Sequence, residues 1–189
     1  MKRALLAITL SVGAAAAGVV DRVAVVVGNQ VITESEVLLE VRLTEFLNGQ
    51  PLDLGADQRK AAAERLVDQQ LIRNEMQIGN YPMPAESEGD AVLRKFRQEN
   101  YRSIPAFRAE LEKYGLAEDE VKRHLLWQAA AMRFTELRFH MAIAAPATLS
   151  ADRTTDTDPP NDEVEDQMVV WLKQARSSTR IQFKKGAFQ

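Results

Sequence analysis

The sequence predicts a mainly helical fold, in which several helices pack around one small antiparallel β-sheet. Apolar residues recur at helical spacing over most of the chain, whereas β-branched runs occur near its two ends. A lone two-stranded hairpin is only marginally stable in water. We therefore expect the N-terminal hairpin and the C-terminal strand to share this sheet.

The first residues have the three-part pattern of a secretory signal peptide. A basic pair precedes the apolar run Ala4 to Val12, and Ala14 to Ala17 supply small residues for cleavage. We expect residues 1–17 to be removed and the mature protein to be periplasmic, without stable membrane insertion after cleavage. The alternative is an uncleaved anchor, because Ala4 to Val20 is just long enough to span a bilayer.

The N-terminal hairpin follows this segment. Val23 to Val27 is β-branched on both faces, which is typical of a central strand. Gly28 and Asn29 can supply the positive φ angles of a two-residue turn. Gln30 to Thr33 is then predicted to be the return strand.

Five helices are predicted between the hairpin and the next change in composition. The first begins at a capping box formed by Thr33 and Glu36, and it ends before Gly49. The others are bounded by turn residues or by the end of an apolar stripe. Their predicted spans are Asp57 to Ile78, Ala85 to Glu99, Pro105 to Tyr114, and a long fifth helix from Glu118 to Met141.

The composition changes at Ala144 to Pro160, which is rich in Pro, Thr and Asp and is predicted to be a linker. Beyond it, Asn161 is expected to cap a helix with one apolar stripe, and Arg180 to Phe183 to form the closing strand. This divides the mature chain into a helical domain over 18–143, the linker, and residues 161–189, which complete the domain.

The composition argues against an enzyme. The chain has no cysteine, two histidines and a net charge of −3, which exclude thiol chemistry and give no general attraction to nucleic acid. His124 and His140 would lie roughly 24 Å apart on one helix, too far to share a metal ion. The acidic stretch from Asp152 to Asp162 lacks the turn glycine of a calcium loop. We predict no catalytic residue, cofactor, metal site or nucleic-acid partner.

Methionine and aromatic side chains are concentrated in the helical part of the chain. Most of them are expected in the core, but some could line an open groove, because such side chains adapt to varied apolar partners. Trp127 and Phe134 are seven residues apart, on nearly one face of the fifth helix, and are the first candidates for an exposed patch. The predicted substrate-binding residues are Trp127, Met132, Phe134 and Met141.

Four segments, taken in order, resemble the SurA-type periplasmic chaperones, the SurA N-terminal domain family. Val20 to Thr33 is similar to the opening strand, the tight turn and the entry into the first helix. Arg65 to Ile72 resembles the second helix, and Phe107 to Leu116 the segment before the long helix. Trp171 to Arg176, followed by Ile181, is similar to the C-terminal helix and strand.

The resemblance implies an ATP-independent chaperone core that binds unfolded or extended segments of clients such as outer-membrane proteins. Family members usually carry parvulin-type prolyl isomerase domains between the two parts of this core. Here the linker 144–160 stands in that place and is too short for one, so no isomerase activity is expected. The sequence leaves open whether the protein forms a dimer. The alternative function is an assembly or scaffold subunit with one dedicated protein partner in the cell envelope.

Overall fold

The computed structural model describes residues 21–140 and 161–188. The predicted signal peptide, the linker 144–160 and Met141 lie outside the described residues. The described elements are β1 (Val23–Val27), β2 (Gln30–Thr33), α1 (Glu34–Leu47), α2 (Ala56–Ile78), α3 (Glu86–Asn100), α4 (Ile104–Tyr114), α5 (Glu118–Thr135), a π-helical turn (Glu136–His140), α6 (Asn161–Ser178) and β3 (Ile181–Phe183). The prediction of a mainly helical fold with a small antiparallel sheet is confirmed.

The sheet joins the two ends of the described chain, as predicted. Its strand order is β2-β1-β3, and β1 pairs antiparallel with both neighbours, with Val25 opposite Phe183. Gly28 begins the hairpin turn with a φ of +61°, whereas the predicted positive φ at Asn29 is not found. The amide of Gly28 donates a hydrogen bond to the Arg180 carbonyl at 2.8 Å, which extends the β1–β3 pairing into the turn.

The helices begin and end close to the predicted positions because local capping signals define them. The Thr33 hydroxyl and the Glu36 carboxylate form the predicted reciprocal capping box of α1. Ser103 accepts a hydrogen bond from the Ala106 amide at the start of α4. Gly115 ends this helix with a φ of +62°, a left-handed conformation that favours glycine.

The long fifth helix departs from the prediction. It is α-helical only to Thr135, and a π-helical turn continues to His140. A π turn forms i→i+5 hydrogen bonds and so shifts the side chains that follow α5 relative to a continuous α-helix. Phe139 in this turn and Phe134 of α5 have ring centroids 6.4 Å apart. Arg138 contacts Glu75 of α2 from the same turn. The turn therefore packs against α2 as well as against the end of α5.

Three apolar clusters form the core. The first joins β1, α1 and α2, and includes Val25, Val41 and Val67. The second joins α1, α3, α4 and α5. It contains the Phe46 cluster, a group of five contacting aromatic rings: Phe46, Phe96, Tyr101, Phe107 and Tyr114. The third joins α2, α5 and α6, and includes Met76, Trp127, Phe134 and Phe139.

Helix α6 packs on α2 and on the end of α5. Its predicted apolar stripe faces the core, with Val164 buried and Trp171 5.7 Å from Phe134 between ring centroids. Arg176 donates hydrogen bonds of 2.6 Å to both Asp68 and Glu64, and this pairing raises its pKa. Among the described helices, none is both long enough and apolar enough to cross a membrane.

Candidate functional site

An open cleft of about 470 Å³ lies between α1, α2 and α5. Its apolar lining, called here the apolar side, is formed by Leu47 of α1 and by Trp127, Ala131 and Met132 of α5. The lining also contains polar groups that can both donate and accept hydrogen bonds, from Thr44, Asn48, Gln69 and Gln128. The cleft therefore combines apolar surface with hydrogen-bonding groups.

The floor of this cleft is built around the buried carboxylate of Glu40, which is 4% exposed. Arg65 Nε donates to its Oε1 at 3.3 Å, and the Gln69 amide donates to the same oxygen at 3.2 Å. Arg65 Nη2 also donates to the Thr44 hydroxyl at 3.1 Å. These contacts satisfy a charge whose burial alone would be costly, and they hold α1 and α2 at a fixed distance.

His124 of α5 completes the floor. Its Nδ1 lies 3.7 Å from the second carboxylate oxygen of Glu40, and its Nε2 lies 3.2 Å from the side-chain amide nitrogen of Gln128. Burial lowers the pKa of the imidazole below its ordinary value of 6.5; Glu40 opposes this effect, and Arg65 and Arg73 add to it. The imidazole is consequently neutral at pH 7 and takes up a proton only in more acidic solution.

A second cavity, of about 300 Å³, lies beside Trp127 and shares Glu40, Gln69 and His124 with the cleft. Here the guanidinium carbon of Arg73 is 4.3 Å from the centroid of the Trp127 ring. Arg73 Nη2 donates to the Gln69 side chain at 3.5 Å. The indole therefore separates two openings, and a half-buried cation covers its face.

The structure separates the four predicted site residues. Met132 is 66% exposed at the cleft, and Trp127 lines both openings although it is only 9% exposed. The prediction that Trp127 and Phe134 form an exposed patch is wrong, because both side chains are buried in the third core cluster, where Phe134 is 1% exposed and contacts the rings of Tyr81, Phe139 and Trp171. Met141 lies outside the described residues.

The polar floor was missed from the sequence. Arg65, Gln69 and Arg73 recur every four residues on α2, which places them on one helix face. Glu40 interrupts an apolar run on α1, and this was the one signal that its carboxylate is buried. Neither pattern shows which helix faces meet. The sequence alone therefore could not predict that these side chains lie close to His124.

The exposed part of the cleft lining consists mainly of apolar and amide side chains. Within the described residues, no group of three or more metal-ligating side chains comes together. The carboxylate of Glu40 is occupied by Arg65 and Gln69, whereas Met132, Trp127 and Asn48 line the opening. Flexible and aromatic side chains of this kind accommodate varied apolar partners.

Comparison with known proteins assigns no family to the chain. No model of a known protein family matches it, and a search of curated proteins finds no similar sequence.

Proposed function

We propose that the protein is a periplasmic, ATP-independent chaperone-like protein that binds extended or unfolded segments of client proteins, such as outer-membrane proteins, without isomerase activity. The observation that carries the proposal is the open cleft between α1, α2 and α5. Its apolar side supports contact with client side chains, and its amide and hydroxyl groups support pairing with the client main chain.

The resemblance of four ordered segments to SurA-type chaperones supports the same proposal. The β2-β1-β3 sheet, closed by the C-terminal strand, agrees with the architecture that this resemblance implied. In this mechanism, a client segment covers Met132 and the edge of Trp127, and its own apolar surface is withdrawn from water. Aggregation falls because association between clients needs that surface.

Suppression of aggregation tests the proposal directly. An outer-membrane protein unfolded in urea is diluted into buffer with the purified protein, and light scattering is followed. We expect near-stoichiometric protein to reduce the scattering. Met132→Glu should weaken this effect, because it places a charge on the apolar side of the cleft.

Val170→Glu is the matched control, since Val170 of α6 is 67% exposed, close to the 66% of Met132, and lies outside the cleft. It should protect the client as the unmodified protein does. Unchanged scattering at tenfold excess of the unmodified protein would refute the proposal. Stable capture of one dominant partner from an envelope extract, without protection of the unfolded client, would favour a dedicated scaffold subunit instead.

A further inference from the structure

Arg73 occupies a boundary between two openings on the protein surface. On one side it lines the cavity beside Trp127, and on the other it lines a cavity of about 400 Å³ with Met76, Tyr81 and Met83. Both cavities contain apolar side chains, and the Arg73 guanidinium lies between them against the indole ring. A bound polypeptide segment that extends from one cavity into the other would therefore pass the Arg73 guanidinium.

The charge of Arg73 lacks a direct carboxylate partner in the described part of the chain. Three other half-buried arginines that contact α2 or belong to it, Arg65, Arg138 and Arg176, each have a carboxylate within ion-pair distance. For Arg73, the described contacts are the Gln69 amide oxygen at 3.5 Å and the face of Trp127. Glu36 and Glu40 stabilise its charge only from a greater distance.

A guanidinium in this position is suited to a carboxylate ligand. It is planar, remains charged at every physiological pH, and can donate two parallel hydrogen bonds to a carboxylate. Partial burial has already removed part of its hydration, so an incoming anion replaces fewer water contacts. The contact of the Arg73 guanidinium with the Trp127 ring also limits the conformational freedom that binding would have to remove.

We infer that Arg73 is a specificity-determining residue, which selects segments carrying an aspartate or glutamate between apolar residues. This inference rests on the proposed function and names the chemistry of the bound segment where it would continue from the cleft past Trp127 into the cavities that Arg73 lines. The openings on both sides of Arg73 favour a side-chain carboxylate within a continuous segment, because the chain can continue past the cation in both directions. Apolar neighbours of the acidic residue would then contact Trp127 on one side and Met83 or Tyr81 on the other.

The test compares two synthetic peptides by isothermal titration calorimetry. Both are twelve residues long, acetylated and amidated, and rich in Phe and Leu, and they differ only by a central Asp or Asn. Blocking both ends removes the terminal carboxylate as a second source of negative charge. The full-length protein is expected to bind the Asp peptide about tenfold more tightly, since hydrogen bonds to charged groups are worth roughly 1.5 kcal/mol or more.

Two variants separate direct recognition from general electrostatics. Arg73→Gln should abolish the preference, and Arg73→Lys should retain only part of it, because lysine cannot make the two-pronged contact. Arg108→Gln is the matched control, since Arg108 of α4 is an exposed arginine that lines neither of the two cavities. It should leave the preference intact.

Each outcome bears on the inference. Equal binding of the two peptides overturns the assignment of Arg73 and leaves the proposed function standing. An equal loss of preference in Arg108→Gln and Arg73→Gln also overturns it, because the general electrostatic field of the protein would then explain the effect. Failure of both peptides to bind overturns the inference together with the proposed function.

Discussion

The Phe46 cluster and the cleft between α1, α2 and α5 both contain aromatic side chains, but the cluster belongs to the core, whereas the cleft is open. In the cluster, Phe46 has four aromatic neighbours with ring centroids 5.6–6.2 Å away. In the cleft, Trp127 meets a guanidinium on one face, and amide groups and Met132 border it. The rings of the cluster fill the core because they contact one another, whereas the Trp127 ring contacts polar groups and borders an open cleft.

This comparison explains why aromatic content alone does not locate a binding surface. The cluster has more rings, yet its members fill the space between α1, α3 and α4. The cleft persists because the Glu40–Arg65–Gln69 floor keeps α1 and α2 apart with groups that cannot collapse onto one another without losing hydrogen bonds. Three substitutions test whether the cluster and the cleft act independently, and they are given in order of decreasing expected effect on stability.

Phe107→Ala should have the largest effect on stability. Phe107 is a member of the Phe46 cluster and is 0% exposed, and removing a fully buried ring costs about 3–5 kcal/mol of the free energy of unfolding. Urea denaturation followed by circular dichroism measures the loss. The folded protein should still bind the Phe- and Leu-rich peptides as before. If binding by the folded fraction falls with stability, the two regions do not act independently.

His124→Gln should change how stability depends on pH. The folded-state pKa of His124 lies below its ordinary value of 6.5, so the unfolded chain takes up the proton first as the solution is acidified. Stability from this residue is thus fully present above about pH 7 and is lost as pH falls through 6.5 towards the folded-state pKa. A difference of one between the pKa values of the folded and unfolded states corresponds to about 1.4 kcal/mol in the free energy of unfolding.

Denaturation midpoints between pH 7.5 and 5 measure this dependence. The unmodified protein should lose stability with acid more steeply than His124→Gln. His140→Gln is the control for the second histidine. The prediction is wrong if His140→Gln, and not His124→Gln, reduces the loss of stability with acid.

Met132→Ala should have the smallest effect on stability, because Met132 is 66% exposed. A change within about 0.5 kcal/mol is typical for a surface position. Affinity for the Phe- and Leu-rich peptides should nevertheless fall severalfold, since the apolar side of the cleft loses its most exposed member. A variant that binds as tightly as the unmodified protein would remove Met132 from the binding surface.

Much of the fold could be predicted because local signals define it. Thr33 with Glu36, Ser103 and Gly115 act within one helical turn, and the β-branched strand Val23–Val27 shows its burial in its own sequence. The π turn after Thr135 could not be predicted, since it depends on Arg138 and Phe139 meeting α2 and α6. The same limit applies to the cleft, whose floor joins side chains from three helices.

The pairing of β1 with β3 has a consequence for how the chain acquires this structure. Val25 and Phe183 are opposite each other although 183 − 25 = 158 positions separate them. Contacts between such distant positions require closure of a very long loop and form slowly, whereas helical turns form from neighbours within microseconds. The central strand of the sheet is thus completed only when almost the last described residues arrive. Until then, one edge of β1 offers unpaired backbone groups to other chains.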